Sequence, residues 1–425
     1  MPGAPRLAVI GGGWAGLAAA VEATRSGACV TLFEMAPQLG GRARAVTADG
    51  HVLDNGQHIC IGAYVETLRL LDTVGVDPGE AFLRLPLRMP RPDRPGLTLR
   101  PGAAVPAFVG AVLRHPTWRL SHKLALLAAA TRWAAAGFRC DPHWSVDVLS
   151  SGLPAAVRDE LIDPLCVAAL NTPSRHASAS VFLRILRDAL FAGPGAADLL
   201  LPRVDLQALL PAPAERWLSR RGADVRLRQR VNALVHDGAS WRVDGVTFDA
   251  VILAASPPES ARLVRDIDPG WASTTMALAY EPIVTVYLHS PGCVLPEPMF
   301  ALSAEGNAPA QFVFDRGQLG GVRGLLAFVV SGATSWVEAG MAKTLDATRR
   351  QAESALAPWL REPLSPVQVI VERRATFACT PALRRPPMVI APGLRAAGDF
   401  VDGPYPATLE GAIRAGIAAA RSLTA

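Results

Sequence analysis

Leu7-Ala8-Val9-Ile10-Gly11-Gly12-Gly13-Trp14-Ala15-Gly16 is the stretch from which the fold of this chain is read. Its four apolar residues make a run short enough for a buried parallel strand, and they pass directly into G-x-G-x-x-G. Gly11 permits the tight turn, Gly13 lets the backbone approach a pyrophosphate, and Gly16 lets the following helix lie close to its strand. That helix, expected from about Ala15 to Ser26 with Trp14 at its mouth, aims free amides and a positive dipole end at the phosphate. Gly27 ends it, and Cys29-Val30-Thr31-Leu32-Phe33 makes a second strand. Glu34 stands at the carboxyl end of that strand, about twenty residues on, where an acid accepts the ribose hydroxyls of an adenosine. Strand, glycines, helix, strand and acid in that order specify a dinucleotide site far better than the glycines alone.

Further segments say which dinucleotide. Leu39-Gly40-Gly41-Arg42 follows the acid, and Asp54-Asn55-Gly56-Gln57-His58 comes after a short connection. A long flavin dinucleotide needs a second set of contacts from backbone and a fixed cation, which Gly41 and Arg42 supply. Near the far end of the chain, Leu394 to Asp399 reads as a strand closing on Gly398-Asp399, and Tyr405-Pro406-Ala407-Thr408-Leu409 opens the last helix. Amides at the start of that helix, around Ala407, Thr408 and Leu409, suit the negative charge of a reduced flavin ring. On these motifs the sequence resembles the FAD-dependent amine oxidase and phytoene desaturase superfamily. The resemblance implies FAD as cofactor, with Gly41, Arg42, Asn55, Gly56 and Gln57 along the flavin. It also implies Val231 holding the adenine through its backbone and Asp399 at the ribityl or diphosphate end.

The expected fold is therefore α/β. A discontinuous Rossmann-like FAD-binding domain of the amine oxidase and phytoene desaturase type takes 1–75, 205–260 and 375–425. A second, α+β substrate domain takes 76–204 and 261–374 and contains a helical subdomain. Within the first domain, Asp224-Val225-Arg226-Leu227 and Arg230 to Val235 read as strands, Trp241-Arg242-Val243 pairs back across Asp237-Gly238, and Phe248 to Ala255 is a buried strand. Trp144 to about Leu210 reads as helical, with more apolar positions than one helix face needs; that suits walls around an apolar cavity or a plain core. Asn171, polar at the end of an apolar helix, is either a C-cap or a group facing substrate.

Composition narrows the function classes. Half of the residues are hydrophobic, and the six cysteines show no C-x-x-C pair, which argues against a disulfide framework or zinc site and fits a reducing cytoplasm. Met1-Pro2-Gly3-Ala4-Pro5 leads straight towards the first strand without a signal-peptide pattern, and no apolar run is long enough to span a membrane. The net charge of +5 rests on arginine, with Lys123 and Lys343 the only lysines, and is weak evidence for nucleic acid. Its distribution is more telling. Between Glu80 and Asp141 the only acid is Asp93, against ten cations interleaved with Phe108, Leu113, Trp118, Leu120, Leu124 and Trp133. Such a segment suits peripheral contact with an anionic membrane, or an ordinary amphipathic subdomain with a basic side.

A narrower resemblance comes from Asp54-Asn55-Gly56-Gln57-His58 with Gly62-Ala63-Tyr64, from Pro164-Leu165-Cys166 through Asn171-Thr172-Pro173, and from Leu200-Leu201-Pro202-Arg203-Val204-Asp205. Over nearly its whole length the chain is similar to the squalene-associated FAD-dependent desaturases, the hydroxysqualene dehydroxylases. That implies reduction of hydroxysqualene, a long isoprenoid alcohol, to squalene in hopanoid biosynthesis, downstream of two squalene-synthase-like partners. Loss of the allylic hydroxyl would leave a cation that hydride from reduced flavin quenches, in a channel that excludes water. His58 is the candidate proton donor to the departing hydroxyl, the alternative being that it only hydrogen-bonds flavin or backbone. Competing functions are a carotenoid-type desaturase, which runs hydride the other way, an amine oxidase, and a non-enzymatic prenyl-lipid carrier on the same fold.

Overall fold

A computed structural model describes residues 4–48, 50–304 and 306–424. The expectation for Met1 to Gly3 lies outside them. Arg6–Ile10 forms the predicted strand and runs parallel between Cys29–Phe33 and Ala250–Leu253. Leu394–Ala396 adds in parallel beyond Ala250–Leu253, with Val389–Ala391 antiparallel outside it, and Asp224–Arg226 extends the opposite edge. The central strands Arg6–Ile10, Cys29–Phe33 and Ala250–Leu253 are short, largely apolar and mostly buried, as a parallel sheet requires.

Two helices cover one region of this sheet. Trp14–Arg25 and Leu409–Thr424 lie so close that a Cβ on Gly416 would stand 2.1 Å from the Ala15 carbonyl oxygen. At their other end Arg421 Nε donates to Glu22 at 2.7 Å. The beginning and the end of the chain are thereby joined along two helical faces.

A second, antiparallel sheet has the order Met299–Ala301, Phe312–Asp315, Leu325–Val330, Tyr280–His289, Ser365–Phe377. Residues 104–191 are largely helical, with Ala104–Arg114 and Leu120–Ala135 joined by a short turn, then Asp163–Leu170 and Ala179–Phe191. Asn171 caps Asp163–Leu170 in a left-handed conformation at φ 50°. Its amide is saturated: Nδ2 donates to the Glu281 carbonyl and to Thr376 Oγ1, and Oδ1 accepts from Gly332 N. The C-cap reading is met, and Asn171 also lines the cavity described below.

Three local expectations change. Leu199–Pro202 is a strand, held by Phe82–Leu85 and Cys60–Ile61, because a four-residue apolar run takes whichever partner offers it a ladder. The second strand read over Arg230 to Val235 is confined to Leu234–His236, which pairs with Trp241–Val243 as expected. The last helix starts at Leu409, three residues beyond Pro406, because Thr408 Oγ1 accepts from Gly411 N at 3.1 Å and supplies the cap.

Candidate functional site

One cavity of about 460 Å³ collects residues from all the segments that the motifs singled out. Gly11, Gly13, Trp14, Ala15, Glu34, Gly41, Arg42, Asn55, Gly56, Gln57, His58, Val231, Gly398, Asp399, Ala407, Thr408 and Leu409 all line it. Gly16 does not. It sits behind the loop, where a Cβ would come within 1.8 Å of the Gly11 carbonyl oxygen, so its task is to let strand and helix close up.

The glycine loops are strapped together before any ligand is considered. Gly40 N donates to Gly12 O at 2.9 Å and Trp14 Nε1 to Ala43 O at 2.8 Å. A Cβ on Gly13 would meet only Gly41 Cα, at 3.9 Å, so a side chain there would grow into the cavity. Glu34 is buried, and its two oxygens accept from Gly12 N and Ala36 N, each at 2.7 Å. Oriented in this way, the carboxylate keeps its remaining lone pairs for hydroxyl groups. Val231 lies at the same end, with its carbonyl already accepting from Arg262 Nη2 at 2.6 Å.

Arg42 ties three regions. Its Nη2 donates to Asp399 Oδ1 at 2.5 Å, and its Nη1 to the carbonyls of Ala375 at 2.8 Å and Arg374 at 3.2 Å. Asn55 Nδ2 donates to Arg42 O at 2.5 Å, while Asn55 Oδ1 accepts from Arg44 N. The loop 54–58 is clamped from the second sheet. Tyr287 donates its hydroxyl to the Asp54 carbonyl at 2.8 Å, and Arg316 Nη1 donates to Gln57 Oε1 at 3.0 Å.

Burial dominates the titration of Asp54 and pushes it up to about 6, although Leu206 N donates to it at 2.8 Å and Arg316 stands 3.8 Å away. His58 is shifted down, first by burial; the hydrogen bond to the Gly56 carbonyl opposes that shift, and the Arg42 charge adds a lesser lowering. Its Nδ1 is 2.7 Å from that carbonyl, which can only accept, so the neutral ring carries its proton on Nδ1. His58 therefore stands in the cavity wall as a neutral imidazole near neutral pH.

At the other end, Leu409 and Glu410 begin a helix whose first amides have no intrahelical acceptor. Glu410 itself is fully buried and caps a second helix: Thr67 N and Oγ1 donate to its Oε2 at 2.9 and 2.7 Å, and Glu66 N to Oε1 at 3.1 Å. Beyond this point the wall is made by Ile59, Tyr64, Val167, Ala168, Ala169 and Ile283, with Ser331, Glu372 and Thr376 from the second sheet. Burial raises the Tyr64 phenol well above its usual range, so it stays neutral.

Sequence reasoning missed Arg316, Tyr287, Glu372 and the capping role of Glu410. The first three reach the cavity region from strands or strand ends of the second sheet, and no local pattern marks them. Glu410 stands two residues after the Thr408 cap, and no local pattern marks it as the cap of a different helix.

The donor set fits a flavin dinucleotide. The open face of Gly13, the aligned Glu34 carboxylate and the free helix amides at Leu409 all line one cavity, and they are the kinds of contact that a diphosphate, an adenosine ribose and a flavin ring need.

A family model described as flavin containing amine oxidoreductase matches residues 14–424. The chain is 30% identical to a hydroxysqualene dehydroxylase of Rhodopseudomonas palustris over 97% of this chain and 96% of that one. A zeta-carotene desaturase of Synechocystis sp. is 26% identical over 61% of this chain and 59% of its own length. Among solved structures, an oxidoreductase from Methanosarcina mazei superposes with a TM-score of 0.73 at 15% identity, covering 98% of this chain and 100% of that one. At that identity the likeness is one of fold.

Proposed function

The chain belongs to the flavin containing amine oxidoreductase family and is an FAD-dependent oxidoreductase, and from that premise we propose that it reduces hydroxysqualene to squalene. The observation that carries the proposal is likeness over nearly the full length to a hydroxysqualene dehydroxylase, where the desaturase likeness covers about three fifths of the chain. The apolar part of the cavity wall, Ile59, Val167, Ala168, Ala169 and Ile283, supports it, because a long polyene and a water-sensitive cation both need such a surface.

Reduced FAD, when bound, supplies the hydride. The balance is simple: the C–O bond breaks, the hydroxyl leaves as water after gaining a proton, and a C–H bond forms on the same carbon. Glu34 and the Gly11 to Gly13 backbone bind the adenosine and diphosphate, and Arg42 holds Asp399 and the strand end at Ala375 in register with them. The amides of Leu409 and Glu410 favour negative charge at the ring. His58, neutral and tied to Gly56, serves better as an anchor of the 54–58 loop than as a proton store. The substrate in this reading comes from squalene-synthase-like enzymes and the product feeds hopanoid synthesis.

Peripheral contact with anionic lipid belongs to the same proposal. Val105, Leu113, Leu120 and Leu124 are exposed on two neighbouring helices, the last two at 66% and 55%. Lys123, donating to Leu113 O, and the exposed Arg114, Arg119 and Arg132 surround them. No helix among the described residues is long and apolar enough to cross a membrane. Surface attachment would let a lipid substrate reach the cavity without passing through water.

The test is anaerobic incubation of FAD-loaded, chemically reduced protein with hydroxysqualene. Squalene and reoxidised flavin are expected; no squalene, together with polyene desaturation by the oxidised protein, would overturn the reading.

A further inference from the structure

Gln57 has one end of its amide accounted for and the other not. Arg316 Nη1 lies 3.0 Å from Oε1, whereas Nε2 is buried and has no hydrogen-bond partner among the described residues. The orientation of a glutamine amide is often ambiguous, but here it is forced. A guanidinium has only donors, so the atom that faces it must be the oxygen, and the NH₂ group turns to the other side. Gln57 lines the cavity.

Arg316 is itself held. It reaches over from the end of Phe312–Asp315 in the second sheet, is almost wholly buried, and has Asp54 as its counter-charge at 3.8 Å. Asp54 is fixed in turn by Leu206 N on one oxygen and, through its carbonyl, by Tyr287. A buried ion pair drawn from two sheets thus ends on one amide oxygen, and a buried donor left without an acceptor is costly unless a ligand supplies one.

We propose that Gln57 is a hydrogen-bond donor to the molecule in the cavity, and that Arg316, backed by Asp54, is the positioning residue that fixes its direction. The acceptor is an oxygen or imine nitrogen, which either the edge of the flavin ring or the hydroxyl of the isoprenoid alcohol provides. The inference rests on the flavoenzyme reading above, and the two sources separate experimentally.

Gln57→Glu is the informative variant. Its carboxylate keeps Arg316 as a partner and has no N–H, so stability should hold or rise while the ligand contact is lost. Gln57→Leu removes the donor without adding charge. Both variants should weaken one ligand measurement about tenfold, the worth of a single hydrogen bond near 1.4 kcal/mol. If the acceptor is on the ring, FAD titrated into apoprotein binds more weakly and its visible absorption band shifts. If it is the substrate hydroxyl, FAD binding and spectrum stay as they are and KM for hydroxysqualene rises.

Arg316→Met should reproduce that loss, and in the Gln57→Leu background it should add nothing to it, whereas a merely structural arginine would give an additive effect. Arg316→Lys, still a donor-only cation, should retain most of the affinity. Gln57→Glu and Gln57→Leu within twofold of the parent in FAD affinity, spectrum and KM would overturn the proposal, as would additivity with Arg316→Met. Failure of the parent protein to form squalene would instead strike the proposed reaction and leave the FAD arm standing.

Discussion

Replacing Gly416 by alanine tests whether the two ends of the chain act as one cofactor cradle. The new Cβ would lie 2.1 Å from Ala15 O, 3.0 Å from Ala15 C and 3.1 Å from Ala19 N, all backbone atoms of the first helix that cannot rotate away. Real Cβ atoms do not come closer than about 3.0 Å, so Leu409–Thr424 and Trp14–Arg25 must separate by about 0.9 Å or more. Overpacking of that kind costs about 1–3 kcal/mol. In the proposed cofactor arrangement the first helix aims its amides at the diphosphate and the last at the ring, so a shift between them would break one or two hydrogen bonds to a charged ligand, each worth about 1.5–3 kcal/mol. FAD affinity, measured by quenching of flavin fluorescence on titration into apoprotein, should fall by about tenfold to about 10⁴-fold. Gly152→Ala is the control, because a Cβ there meets nothing within 4 Å. Gly416→Ala with the parent's urea midpoint and FAD affinity would refute the account of converging ends.

Four further outcomes are expected. Glu410→Gln should cost about 2–3 kcal/mol in urea unfolding, since a neutral amide cannot satisfy Thr67, Glu66 and Arg414 together; an unchanged midpoint would remove its capping role. Asp54, shifted up to about 6 in the folded protein, favours the fold when protonated; this contribution is complete below about pH 4, is lost as pH rises through 6, and amounts to something on the order of 3 kcal/mol. Asp54→Asn should therefore flatten that part of the stability profile, and an identical slope in parent and variant would contradict the shift. His58→Ala should keep the single-turnover rate within about tenfold, because loss of a general acid costs about 10²–10⁴; a drop beyond a hundredfold would restore the acid role. Flotation with vesicles containing phosphatidylglycerol should capture the parent protein and release it on Arg119→Glu with Leu124→Ser, and equal capture by neutral vesicles would argue against the basic face.

The glycine loop, Glu34 and the terminal Gly398-Asp399 were legible because each is a local answer to a local demand: a turn, a close backbone approach, an acid at a strand end. Arg316 and Tyr287 were not, because they meet the 54–58 loop from 259 and 233 residues away and look in the sequence like any arginine and tyrosine of a β-sheet. The start of the last helix was misplaced for a different reason. Pro406 and Thr408 are both good opening residues, and the hydroxyl that can reach Gly411 N prevailed. Leu199–Pro202 is not distinguishable from helix in the sequence, because an apolar run of four carries no period of its own. The role of His58 turned on its surroundings, which a motif does not report.

The strand order of the parallel sheet also sets a timetable for synthesis. Arg6–Ile10 receives its neighbour Ala250–Leu253 only after the ribosome has added more than two hundred further residues, and Leu394–Ala396 docks later still. At about 5–20 residues per second the first strand waits roughly 12–50 s with one edge unpaired. Premature capture of that edge by another nascent chain is the hazard this topology carries, and chaperone dependence during translation should exceed that of a protein whose nucleotide-binding unit is contiguous.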